Sequence, residues 1–177
     1  MGILNRTPDS FYDRGATFGL DDLLVRAEAL VGDGADLLDV GGVKAGPGPE
    51  VSEAEELDRV VPTIEALHSR LGVPVSVDTW RATVLDEACR VGAVVGNDIS
   101  GFGDPDYLAV AAKHEASVVA THIRLAPRVP DPEPHYDDLV PTCGRSFSSA
   151  PLGPKRRDWP ATRSRSTPAS TSARRRR

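Results

Sequence analysis

Five positions in this chain put a ligand-capable side chain at the end of a short apolar run. Asn5 follows Met1–Leu4, Asp39 sits with Gly41-Gly42 at the end of Leu37–Val40, and Asp78 follows Val73–Val77. Asn97, with Asp98, closes Val94–Asn97, and His122 closes Ser117–His122. Carboxylates accept hydrogen bonds, carboxamides donate and accept, and an imidazole does either according to its tautomer. Each residue also has a plainer role. Asn5 ahead of Thr7-Pro8-Asp9 can open a turn. Asp78 before Thr79 can be a helix-start acid. Asn97-Asp98 can be loop chemistry, His122 can be packed, and Asp39 can orient its own loop.

The elements that hold these residues alternate. Leu20, Leu23, Leu24, Ala27, Leu30 and Val31 recur at helical spacing behind Asp21 and Asp22. Ser52-Glu53-Ala54-Glu55 has the capping-box pattern and opens a helix through Leu57, Val60, Val61, Ile64, Leu67 and Leu71. Arg81–Arg90 is predicted helical with Gly92 as its stop, and Asp104-Pro105 is predicted to start a short helix with Pro at its first position. Strands alternating with helices predict parallel βαβ units, either in an open doubly wound sheet or in a closed eight-stranded barrel. Five successive strands that each end in a polar group favour the barrel, whose βα loops converge on one mouth. No Gly-rich fingerprint follows the first strand, as a dinucleotide-binding sheet would require.

Charge divides the chain. Residues 1–140 carry 11 Lys and Arg against 25 Asp and Glu, whereas residues 141–177 carry 10 Lys and Arg against Asp158 alone. The acidic part reads as a solvated, non-nucleic-acid-binding surface. The basic part is rich in Arg, Ser, Pro and Thr, shows almost no periodicity and ends Arg174–Arg177, so it is expected to be disordered. A shifted reading frame in a GC-rich gene accounts for that composition better than a nucleic-acid-binding tail. Cys89 and Cys143 make neither a metal spacing nor a disulfide framework, and Cys89 is expected to be a buried, inert thiol. No apolar run reaches the ~18 residues of a membrane span, and no signal-peptide pattern opens the chain, so a cytoplasmic location without membrane partners is expected.

Four motifs in order carry a resemblance. Gly2-Ile3-Leu4-Asn5-Arg6-Thr7-Pro8-Asp9-Ser10-Phe11 resembles the first signature of dihydropteroate synthases, and Gly34–Gly42 resembles the start of the second. Ser76-Val77-Asp78-Thr79 and Gly96-Asn97-Asp98-Ile99-Ser100-Gly101 are similar to the third and fourth strand ends. The resemblance covers residues 1–140. It implies part of a (β/α)8 TIM barrel, about five of its eight βα units, in the pterin-binding family. The implied activity is that of a transferase of folate biosynthesis. It condenses p-aminobenzoate with 6-hydroxymethyl-7,8-dihydropterin diphosphate, with Mg²⁺ as cofactor and a homodimer as the usual assembly. By the same resemblance Asn5 stands near the metal and diphosphate, while Asp78 and Asn97 hydrogen-bond the pterin. His122 is a pocket candidate, and Arg6 and Lys44 are loop candidates for the diphosphate charge.

The chain departs from the pattern in its second loop. The family's Gly-Gly-Glu-Ser-Thr-Arg-Pro-Gly reads Gly41-Gly42-Val43-Lys44-Ala45-Gly46-Pro47-Gly48 here, so Ala45 and Gly46 stand where the family has Thr and Arg. Arg6 and Tyr12 are also unusual in the first loop. This divergence is similar to an actinobacterial-type paralogue of the synthase. A barrel of this kind takes about 250 residues, and the family pattern stops after Val140. The strands that bring an Asp, a Lys and an Arg-x-His group have no counterpart, so no catalytic residue is assignable and the chain is expected to be inactive. The alternatives are a pterin-binding module without catalysis, a methyltetrahydrofolate-binding barrel, or a fragment without function.

Overall fold

Successive side chains of a strand point to opposite faces, so each strand here sends one set of residues to the helices and the other set to the opposite face. The computed structural model, which describes residues 1–7 and 19–148, has five parallel strands. They are β1 (Gly2–Asn5), β2 (Leu38–Gly41), β3 (Val75–Asp78), β4 (Ala93–Asp98) and β5 (Ser117–Ala120). The strand order is β1-β2-β3-β4-β5, with every neighbouring pair parallel. A doubly wound sheet reverses direction at a switch point. No reversal occurs here, so the progression is that of a barrel wall.

Helices α1 (Leu20–Gly32), α2 (Glu53–Leu71), α3 (Ala82–Arg90) and α4 (Tyr107–Lys113) return the chain between strands, and α5 (Leu139–Ser148) comes after β5. The core lies between sheet and helices. Leu4, Leu38, Val40, Val75 and Val77 meet Leu23, Ala27, Val60, Ile64, Leu67, Val84 and Leu85 there. The other sheet face is exposed on its edge strands, where Ile3 is 61% and Val119 48% exposed, whereas Asp39 and Ser76 between them are buried. No described helix is long and apolar enough to cross a membrane.

Local chemistry sets the helix ends. The Ser52 side chain accepts from the Glu55 N–H, as the capping box predicts, and Gly72 ends α2 in the left-handed conformation. Asp104 does not start α4, which begins at Tyr107. Its carboxylate instead accepts from the Ala82 N–H (2.9 Å), satisfying a free donor at the start of α3, and from the Asp106 N–H (3.0 Å). β5 ends at Ala120, so His122 lies two residues beyond it. Residues 141–148, read from composition as aperiodic, are helical in α5. Pro141 is tolerated there because a first-turn residue needs no intrahelical N–H partner. The remaining basic residues, 149–177, lie outside the described residues. Cys89 is half-buried rather than fully buried, and burial pushes its thiol up to about 11, which keeps it unreactive.

Pro62 lies inside α2 and lacks the N–H that would bond the Asp58 carbonyl. Arg6 covers this defect. Its guanidinium donates to the carbonyls of Asp58 (3.4 Å) and Arg59 (3.0 Å) and to Thr63 Oγ1 (3.4 Å). Arg6→Ala is therefore expected to destabilise the fold by about 1–3 kcal/mol, since partly buried acceptors lose a charged donor. Urea unfolding followed by circular dichroism measures this, and a midpoint equal to wild type would remove the clamp.

Candidate functional site

Strand register puts Asn5, Gly41, Asp78 and Asn97 side by side, because Asn5 pairs with Gly41, Gly41 with Asp78, and Asp78 with Asn97. This row lies at the C-terminal ends of four strands and on the face away from the helices. All three polar side chains are half-buried. Gly41 is what lets them approach. A Cβ built there would stand 2.8 Å from Asn5 Oδ1 and 3.6 Å from Asp78 Oδ2. Gly42 is needed for a different reason: a Cβ there would meet Val60 Cγ1 at 2.8 Å. The pair of glycines was legible in the sequence, but its two separate purposes were not.

The one acid of the row, Asp78, has other acids around it. Asp78 is pushed up to about 7, first by burial and then by the negative charges of Asp39, Glu56 and Asp98. Asp39 is 4% exposed, and its Oδ2 accepts from Asn97 Nδ2 at 3.0 Å. Asp39, expected to orient its own loop, also reaches across β3 to Asn97. Asp98 turns the other way. It accepts from the Ser100 N–H (2.7 Å), Ser100 Oγ (3.0 Å) and the Phe102 N–H (2.7 Å), holding the loop after β4.

The expected cations stand elsewhere. Arg6 is turned to α2, where it covers the Pro62 defect. Arg59 pairs with Glu55 and donates to the Gly42 carbonyl (2.8 Å), while Arg81 pairs with the fully buried Glu56 and donates to the Val51 carbonyl (2.8 Å). These bonds brace the second loop from α2 and α3. Lys44 lines a cavity of about 320 Å³ with Thr7, Glu50, Glu55, Arg59 and Arg128. His122 is not in the row. It lines a separate cavity of about 340 Å³ with Ala45, Ile99, Arg124 and Tyr136, its ring 5.8 Å from that of Tyr136. Pro8–Phe11 and Tyr12 lie outside the described residues.

The second loop is free to carry the family's side chains. Gly46 is not in the left-handed region, and a Cβ there would meet only Lys44 Cε, at 3.9 Å. Ala45 is exposed at the mouth of the His122 cavity. The double substitution Ala45→Thr with Gly46→Arg is expected to leave stability within about 0.5 kcal/mol of wild type. A loss of several degrees in thermal midpoint would show that this loop has adapted to the smaller residues.

Comparison with known proteins agrees with this geometry. A family model described as pterin binding enzyme matches residues 1–152. The chain is 48% identical over 143 residues to the dihydropteroate synthase of Bacillus subtilis, covering 80% of this chain and 48% of that protein. It is 51% identical over 123 residues to the inactive dihydropteroate synthase 2 of Mycobacterium leprae, covering 69% of this chain and 42% of that protein. Among solved structures, the Yersinia pestis dihydropteroate synthase in a sulfonamide drug complex aligns with a TM-score of 0.78 at 46% identity, over 84% of this chain and 54% of that one. The chain spans about half the length of the curated relatives it matches.

Proposed function

The chain belongs to the pterin-binding enzyme family, and from that premise we propose that the Asn5–Asp78–Asn97 row is its pterin site. One observation carries the reading: strand register alone brings an acceptor and two carboxamides into one half-buried row opened by Gly41. A flat heterocycle with a donor–acceptor edge is read by such a set. Asp78 takes ring donors, and Asn97 both donates and accepts.

The reaction proposed for the complete barrel is that of dihydropteroate synthase. The p-aminobenzoate nitrogen attacks the pterin methylene carbon, the carbon–oxygen bond to diphosphate breaks, and the amine loses a proton. Mg²⁺ would neutralise the departing diphosphate. Among the described residues no cluster of three His, Cys, Asp or Glu could hold a metal alone. The Asn5 carboxamide fits the lesser task of giving one oxygen to an ion carried mainly by water and phosphate. A cytoplasmic homodimer acting on these small molecules, without nucleic acid or membrane, completes the reading. Residues 1–140 form its pterin-binding part and 141–177 lie beyond it, with α5 at the junction.

A second reading, a pterin-binding protein without catalysis, is favoured by Ala45 and Gly46 and by the likeness to the inactive Mycobacterium leprae relative. Both readings expect saturable binding of 6-hydroxymethyl-7,8-dihydropterin by isothermal titration calorimetry. Absence of heat at millimolar ligand would sink both.

A further inference from the structure

We propose that Asp39 is a positioning residue, which fixes the carboxamide of Asn97 in one orientation and so decides which hydrogen-bonding pattern Asn97 offers a ligand. The inference rests on the pterin-site reading for the ligand and on geometry for the rest.

β2 and β4 are not neighbours, and β3 runs between them. Asp39 pairs in register with Ser76, and Ser76 with Val95, so Asn97 lies one step further along the same face. The Asp39–Asn97 bond therefore spans two strand spacings, roughly 10 Å of sheet. Curvature of the wall and the small Ser76 beneath make that possible. Ser76 is fully buried, and its hydroxyl has no hydrogen-bond partner among the described residues.

The chemistry is one-sided. An ionised aspartate only accepts, so it can engage only the NH₂ end of a carboxamide. Asn97 cannot turn its oxygen toward Asp39 without setting two acceptors against each other. Its Oδ1 and second N–H are left facing elsewhere as a fixed acceptor–donor pair. Asp39 itself gains little from this bond. Its Oδ1 is buried without a partner among the described residues, and the carboxylate lies close enough to Asp78 to raise it. A buried carboxylate with one side-chain bond weakens the free protein. The compensation comes in the ligand-bound state, where a fixed Asn97 discriminates between heterocycle edges.

The test uses the 177-residue protein and its isosteric variant Asp39→Asn. An asparagine at this position can donate or accept, so it no longer dictates the orientation of Asn97. In wild type, the Asn97 side-chain amide in ¹⁵N NMR is expected to show one downfield, exchange-protected proton. In Asp39→Asn that signature is lost, dihydropterin affinity falls about tenfold, and the thermal midpoint does not fall. A packing role predicts instead a lowered midpoint. An unchanged Asn97 signature in the variant overturns the proposal, and so does a lost signature with affinity unchanged within twofold. If wild type binds no dihydropterin, the pterin reading fails separately. The amide signature then decides the positioning claim alone, its loss in the variant sustaining it and its persistence removing it.

Discussion

The 177-residue protein, purified and supplied with p-aminobenzoate, the dihydropterin diphosphate and Mg²⁺, is expected to form no detectable dihydropteroate. The strand-end row explains why. A leaving diphosphate needs positive charge where negative charge develops. The row offers Asp78 with Asp39 close by, and the arginines that could serve it have other partners. Arg6 covers the Pro62 defect, Arg59 and Arg81 pair with Glu55 and Glu56, and Lys44 lies in the cavity beside Thr7. Removing one electrostatic stabiliser costs ~10²–10³ in rate, and here several are wanting. Asn5, Asp78 and Asn97 are only half-buried, and water reaching them weakens their polar contacts. β1 and β5 each have one unpaired side within the described sheet, which favours association over a closed site. Chromatographic detection of product decides the matter. Turnover abolished by Asn5→Ala would overturn the expectation. If it also rose with the square of protein concentration, the site would be assembled from two copies.

Much of this architecture was legible because local signals and packing agree. The helical spacing from Leu20 to Val31 marks α1, whose buried residues are Leu23, Leu24 and Ala27. The Ser52 capping box marks the start of α2 within a residue. Signals failed where one residue could serve two elements. Asp104 has the sequence of a helix start for α4, yet tertiary structure gives its carboxylate to α3. Arg6 is a cation beside a strand end, which reads as a ligand group. Only the fold shows that Pro62, more than fifty residues away, leaves the Asp58 carbonyl in need of it. Asp39 was legible as a strand-end acid, but not its role in the site: its partner Asn97 is 58 residues distant, and no local pattern encodes that pairing.

Asp78→Asn is expected to move binding and stability in opposite directions. Asp78 is held at about 7, mainly by burial and then by Asp39, Glu56 and Asp98, against 3.8 for an ordinary aspartate. Between those values the folded protein binds more protons than the unfolded chain. Stability therefore falls as pH rises from about 4 through 7, and the loss is complete above that. Replacing the carboxylate with a neutral amide removes the penalty. The variant should be more stable than wild type at pH 8 by up to about 4 kcal/mol, with the difference vanishing near pH 4. Pterin affinity should run the other way. An acceptor for ring donors becomes partly a donor, and loss of a hydrogen bond to a charged group costs about 1.5–3 kcal/mol, or roughly 10- to 150-fold. Wild-type affinity should also rise with pH up to about 7, because the ligand prefers the ionised carboxylate and binding releases its proton. The variant should lose that dependence. Denaturant unfolding and calorimetry at pH 5, 6, 7 and 8 give both readouts. Equal affinity in the two proteins would remove Asp78 from the site. A variant less stable than wild type at pH 8 would show that the carboxylate is held by structure rather than kept for a ligand.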